Sequence, residues 1–177
     1  MSGLTVRPLT PRDAQAFREI RLEALERVPR AFAESAEEFR ATSIEAVAER
    51  LTNMGACDFL LGAFDGPRIV GTAGFARGER LKDKHKGRVW GVFVRKDYRA
   101  QGAGRQLLSE LLRRAWLEAD LEHIILTVGT EQAAAKRLYS ALGFVVFGRE
   151  RHALKIGEAY VDEDYMVVTR PDAPTAG

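Results

Sequence analysis

The stretch Arg88-Val-Trp-Gly-Val-Phe-Val94, followed after Arg95 to Tyr98 by Arg99-Ala100-Gln101-Gly102-Ala103-Gly104, decides how this chain is read. The first part is rich in β-branched and aromatic residues and reads as a strand. Beyond the glycines, Leu107, Leu108, Leu111, Leu112, Ala115 and Trp116 recur at helical spacing, so a helix buried along one stripe follows. A glycine-rich turn between a strand and a helix is an anion site by geometry. The first N–H groups of the helix lack internal partners, and the macrodipole makes that end positive. Gly102 and Gly104 remove side chains that would hold an anion away from those donors. Two better-known phosphate loops are absent: there is no G-x-x-x-x-G-K-[ST], and no full G-x-G-x-x-G after the first strand.

Upstream, Leu4 to Leu9 reads as an opening strand. Thr10 caps a helix with Pro11 at its first position, Phe17, Ile20, Ala24, Leu25 and Val28 on one face, and Pro29 at its end. Residues 30–42, with Phe32 and Phe39, read as an irregular or helical stretch lying on something apolar; Ser43 then caps a second helix through about Leu51. Phe59 to Phe64 and Arg68 to Phe75 flank Asp65-Gly66, a hairpin signal. Downstream, His123 to Val128 is apolar enough for a central strand. Thr130 is placed to cap a helix from Glu131 to Leu142, and Gly143 to stop it. Phe144 to Ala153 and Ala159 to Thr169 form a closing hairpin. The order βααβββαβαββ predicts one α/β domain over residues 1–170, with 171–177 a disordered tail.

With 177 residues, 46% hydrophobic and 29% charged, the chain can bury a core, which excludes a mainly disordered protein. Net charge is only +2, but bases crowd between Arg77 and Arg105. Such a block attracts phosphates, whether of a cofactor or of a nucleic acid, although most of it reads as a solvated loop. Its loop bases from Arg77 to Arg88 carry no interleaved aromatics for stacking, so no nucleic-acid partner is expected. Cys57 is the only cysteine, which excludes an internal disulfide and a multi-thiolate metal site. No apolar run reaches membrane-span length and the N-terminus lacks a signal-peptide core, so a cytoplasmic protein without membrane contact is expected.

Arg99-x-x-Gly102-x-Gly104 after Val92-Phe93-Val94 resembles the [QR]-x-x-G-x-[GA] motif of the GNAT superfamily of N-acetyltransferases. Leu138-Tyr139-Ser-Ala-Leu-Gly143-Phe144 resembles that family's L-Y-x-x-x-G-F segment, and Ala135 keeps the spacing of N-x-x-A-x-x-L-Y. Order and spacing agree over most of residues 4–169. The resemblance implies an α+β domain, with a mixed, mostly antiparallel sheet of about seven strands and about four helices. Two of its strands splay to hold acetyl-CoA as co-substrate, with no metal.

The resemblance assigns the backbone N–H of Val92 to the thioester oxygen and Phe93 and Val94 to the pantetheine. Arg99 and the backbone of Ala100, Gln101, Gly102, Ala103, Gly104 and Arg105 fall to the pyrophosphate; the Arg105 side chain stands as either an added contact or a plain surface charge. Tyr139 corresponds to the general acid. Two departures matter. The family's Asn is Gln132 here, whose amide reaches the cofactor only from a longer stem. Where several members carry a glutamate base near the start of the splayed strand, this chain has Arg88, which cannot accept a proton. Candidates for the base or for substrate contact are His85, Glu34, Asp162, Glu163 and Asp164. His123 and His152 belong to no metal-like constellation in the sequence and read as structural. Trp90, Phe93 and Tyr160 are open to a pocket role or to core packing.

The implied reaction is acetyl transfer to a primary amine of a small molecule, amino acid or peptide, by direct attack in a ternary complex. Cys57 lies outside the matched motifs, against an acyl-enzyme route. The alternative is a non-catalytic acyl-CoA sensor on the same fold. Arg88, Lys86 and Arg149 favour an anionic acceptor and Asp162 to Asp164 a cationic one. The exposed edge of the last hairpin makes a homodimer an open expectation.

Overall fold

The computed structural model of the protein describes residues 3–55, 57–118 and 120–171. The expected tail therefore falls, apart from Pro171, outside the described residues. Five α-helices flank a seven-stranded sheet: β1 (Thr5–Pro8), α1 (Ala14–Arg27), α2 (Ala36–Arg40), α3 (Ile44–Thr52), β2 (Phe59–Asp65), β3 (Arg68–Arg77), β4 (Lys86–Val94), α4 (Ala103–Ala115), β5 (His123–Gly129), α5 (Ala133–Ala141), β6 (Val145–Ile156) and β7 (Ala159–Thr169). Strand order is β1-β2-β3-β4-β5-β7-β6, and only the β4–β5 pair is parallel. No helix among the described residues is long and apolar enough to cross a membrane.

Alternation along the strands divides the core. Leu60 and Phe64 of β2 meet Phe17, Ile20 and Leu25 of α1, Phe39 of α2 and Val47 of α3 on one face. Leu61 and Ala63 point the other way, into a cluster with Leu107, Leu108 and Leu111 of α4 and Tyr139 of α5. A strand with helices on both faces must bury both sets of side chains, which explains why β2 and β3 read as nearly continuous apolar runs.

One local expectation is sharpened and one changes. Residues 30–42 contain a true, short helix, α2: Ser35 Oγ accepts the Glu38 N–H at 3.1 Å while the Glu38 carboxylate accepts the Ser35 N–H at 2.9 Å, a reciprocal cap that holds a five-residue helix against the core through Phe39. The last helix begins at Ala133 with Gln132, not Thr130, at its cap. Thr130 instead donates its N–H to the Asp162 carbonyl at 2.9 Å, which holds the turn after β5 beside β7. Ser43 caps α3 as expected, accepting the Ala46 N–H at 3.1 Å.

The feature that positions the site is the junction of β4 and β5. Only Lys86, Gly87 and Arg88 pair with His123, Ile124 and Ile125. Beyond them β4 stays with β3 as far as Val94, while β5 stays with β7 as far as Gly129 opposite Glu163. The two strands thus part into a V. A bulge marks the parting on β4: Phe93 pairs with Thr72 and Trp90 with Gly74, so Gly91 and Val92 together face Ala73. Gly91 adopts φ +62°, a left-handed backbone that a side chain would strain.

Candidate active site

At the open end of the V, β4 runs on to the turn Arg99 to Gly104. A short 3-10 turn (Lys96–Tyr98) follows, and the Tyr98 hydroxyl donates to Asp65 Oδ2 at 2.7 Å, tying the turn to the β2–β3 hairpin. Arg99 Nε donates to the Val94 carbonyl at 2.8 Å with its guanidinium over the Phe93 ring, so the stem of Arg99 is braced on the strand end. The Gln101 amide donates to the Asp97 carbonyl. Gly102, at φ +86°, is the residue that turns the chain into α4; Ala100 also takes a left-handed φ of +57°. Gln106 N–H to the Gly102 carbonyl, at 2.9 Å, is the first bond of the helix. The N–H groups of Ala103, Gly104 and Arg105 precede it and define an anion cradle at a helix N-terminus.

The two sequence motifs touch here. A Cβ on Gly104 would lie 3.0 Å from Leu138 Cδ2, so even a methyl there would make Leu138 give way, and the small residue keeps α5 close to the start of α4. Leu138 is followed by Tyr139, 6% exposed and set edge-on to Phe144 with ring centroids 6.0 Å apart. Gly143, at φ +92°, ends the helix, and the Phe144 N–H returns to the Tyr139 carbonyl at 3.1 Å. Burial raises the phenol pKa of Tyr139 above its ordinary value. Val92 packs toward α4 and α5, whereas Phe93 lies in the core beneath α1 to α3. Trp90 lies over Gly74, where a Cβ would meet the indole at 2.2 Å, and Arg50 sits over its ring. Both aromatics are packing residues of the α1–α3 side.

On that side the V is lined by ion pairs between distant segments. Glu34 accepts from Arg21 Nε at 3.1 Å and Nη2 at 2.9 Å, and the same guanidinium stacks on Phe32. The carboxylate of Glu34 is thereby engaged. Arg21 Nη1 is buried, has no hydrogen-bond partner among the described residues, and lies 3.9 Å from where a side chain on Gly91 would begin. Arg30 forks onto Glu131 at 2.9 and 3.0 Å and reaches the Tyr160 carbonyl, clamping the chain after α1 to the β5–α5 loop. Tyr160 is exposed and stacks on His152. Gln132 packs its stem against Gly129, where the loop leaves β5.

The acidic run separates into three fates. Asp164 is 1% exposed and binds Arg149 and Lys136, which hold its carboxyl below the usual range. Asp162 accepts the His152 N–H at 2.8 Å inside the β6 bulge, where His152 takes φ +55°. Glu163 has the opposite strand parity to Asp164 and faces the α1–α3 side. There it is half-buried, hydrogen-bonded by Thr127, and in the fields of Glu150 and Arg88. Burial raises its carboxyl pKa, and the Thr127 bond and Arg88 only partly offset this.

His85 lies elsewhere. It precedes Lys86, at the closed end of the V, and Val92 is seven positions along the strand. At about 3.3 Å per residue the separation is on the order of 20 Å, which takes His85 out of reach of a group at Val92. The structure also corrects the reading of His123 as isolated: His85, Glu122 and His123 offer ligand atoms within 4.8 Å of one another. Arg21, Arg30 and Thr127 were not singled out by the sequence. Their partners are far along the chain, and no local spacing announces them.

A family model described as Acetyltransferase (GNAT) family matches residues 17–144. Among solved structures, a GNAT-family acetyltransferase from Streptococcus pneumoniae is 25% identical with a TM-score of 0.83, covering 94% of this chain and 99% of its own. YncA of Salmonella typhimurium, a structure with its cofactor acetyl-CoA, is 20% identical with a TM-score of 0.82 over 99% of this chain and 100% of its own. A ribosomal-protein-alanine N-acetyltransferase from Brucella melitensis is 24% identical, with a TM-score of 0.81 over 94% and 100%. With the family match spanning the helix before the V, the V itself and the turn beyond it, the chain belongs to the GNAT acetyltransferase family.

Proposed function

We propose that the protein transfers an acetyl group from acetyl-CoA to a primary amine by direct attack within a ternary complex. The observation that carries this reading is the meeting of the two motifs at Gly104 and Leu138, beside the parting of β4 from β5. It supports assigning the anion cradle, the Val92 segment of the parting strand and the Tyr139 phenol to a single site.

In this reading the pyrophosphate rests on the N–H groups at the start of α4, aided by the guanidinium of Arg99. The pantetheine lies along Phe93 and Val94, and the Val92 N–H takes the thioester oxygen as it becomes an oxyanion. Glu163 is the general base. Its carboxyl is half-buried, raised in pKa, and borders the V on the side opposite the cradle. The amine nitrogen attacks the carbonyl carbon, Glu163 takes an N–H proton, and the C–S bond breaks with its electron pair on sulfur. Tyr139 stays protonated through the working range and donates to sulfur as negative charge builds there. The products are an amide and the free thiol of CoA.

Arg21 Nη1 supports an acceptor that carries a carboxylate near its amine, such as an amino acid. The case for a cationic acceptor is weaker, because Asp162 and Asp164 are already bound within the protein. Thiol release from acetyl-CoA tests the reading across amino acids, polyamines and peptide N-termini. Release that depends on the amine, and is fastest for carboxylate-bearing amines, is expected. Saturable acetyl-CoA binding with no amine-dependent release anywhere in the panel would instead make the protein an acyl-CoA sensor.

A further inference from the structure

At the closed end of the V, remote from Val92, the first rung of the parallel ladder sets Lys86 beside His123. The His85 carbonyl accepts the Glu122 N–H at 2.8 Å and the His123 N–H at 3.4 Å. These bonds fix the backbones of three potential ligand residues on two chain segments. The imidazoles of His85 and His123 meet edge to face, with ring centroids 5.4 Å apart. With Glu122 their donor atoms lie within 4.8 Å of one another. Both imidazoles are half-buried and the carboxylate is exposed, so the group is preformed on its backbone and open on one side.

We infer that His85, Glu122 and His123 form a divalent transition-metal site, with Zn²⁺ as the ion its two nitrogens and one oxygen fit best. Such a donor set leaves a position for water in a tetrahedral shell, whereas Mg²⁺ and Ca²⁺ require oxygen-rich cages. Ligand atoms of a tetrahedral zinc site lie roughly 3.3 Å apart, so small rotations of the half-buried imidazoles and the exposed carboxylate complete the contraction. Neighbouring cations do not block it. Lys84 is bound to Asp120 at 3.1 Å and Arg77 to Glu118 at 2.8 Å, so their charge is largely met; Lys86 is exposed to solvent. A metal here ties the β3–β4 loop, through His85, to the start of β5. It therefore pins the vertex of the V without touching the reacting atoms.

Tag-free full-length protein titrated with Zn²⁺ by calorimetry, and with Co²⁺ by its visible absorption, provides the test. One equivalent is expected to bind, with Co²⁺ bands typical of a low-coordinate nitrogen and oxygen site. At a hundredfold excess of Zn²⁺ over Kd, Tm is expected to rise by about 5 °C or more. His123→Ala and His85→Ala each weaken binding by at least about tenfold, and Glu122→Gln by a similar amount. His152→Ala leaves it unchanged. Because His85 lies in a loop, its variant reports on binding even if a substitution at His123 disturbs the strand. Absence of saturable binding, or equal affinity in wild type, His85→Ala and His123→Ala, overturns the site.

Discussion

On the α4–α5 flank of the V most of the bonds that shape the site are short in sequence. Arg99 reaches Val94 five residues back, Gln101 reaches Asp97 four back, and the cradle itself is backbone. On the α1–α3 flank the corresponding bonds cross 13 residues between Arg21 and Glu34 and 101 between Arg30 and Glu131. The first flank offers main-chain N–H groups, which every sequence possesses and only glycine spacing exposes. The second offers side chains whose identity sets what they recognise. On the function proposed above, the co-substrate lies on the backbone flank and the acceptor on the other, where changing a side chain leaves the cradle intact.

The sharpest way to break this comparison is Glu163→Gln. Loss of the base predicts a fall in turnover of at least about a hundredfold at neutral pH, with acetyl-CoA affinity unchanged. Wild-type activity should decline on the acid side through a value above the ordinary glutamate pKa of about 4.3, because burial raises this carboxyl. The sign of the stability effect is opposite. A glutamate whose folded pKa is raised costs stability once pH exceeds its unfolded value, so the glutamine variant should be no less stable than wild type at pH 7. A pH–rate profile with an unaltered acid limb in Glu163→Gln would move the base elsewhere. Next in size, Gly104→Val drives a branched side chain into Leu138, and overpacking of about 2 kcal/mol should weaken acetyl-CoA by roughly thirtyfold. Amine KM should hold, and direct binding of acetyl-CoA separates the two flanks. Smallest is Tyr139→Phe, which should slow turnover about tenfold with acetyl-CoA affinity nearly intact. Unchanged turnover would reduce Tyr139 to a packing residue.

How much of this was legible follows the same division. The hairpin at Asp65-Gly66, the α4 stripe and the Gly143 stop each rest on local spacing, and each is found where expected. The Ser35-x-x-Glu38 cap is also local, but a helix of five residues is too short to show a periodic apolar stripe, so 30–42 reads only as irregular or helical. The bulge at Gly91 was not legible, because a lone glycine in a strand says only that something is unusual there. The run Asp162 to Asp164 looked uniform and proved to be three residues in three environments, since alternation and a bulge in the partner strand decide which way each carboxylate points. His85 and His123 are brought side by side by a parallel pairing that no short window of sequence contains.

Three rungs of parallel ladder are all that sew β1–β4 to β5–β7–β6. A sheet joined along so short a seam is two leaves on a spine. Each leaf has its own antiparallel pairing, while one core beneath α4 and α5 packs side chains of both leaves together and holds the angle between them. Substitutions at Lys86, Ile124 and Ile125 therefore alter an angle rather than a reactive group. If acetyl-CoA lies across the gap as proposed, it is a strut between the leaves as well as a reactant, and its departure returns that load to the seam, the two helices and the Arg30–Glu131 clamp.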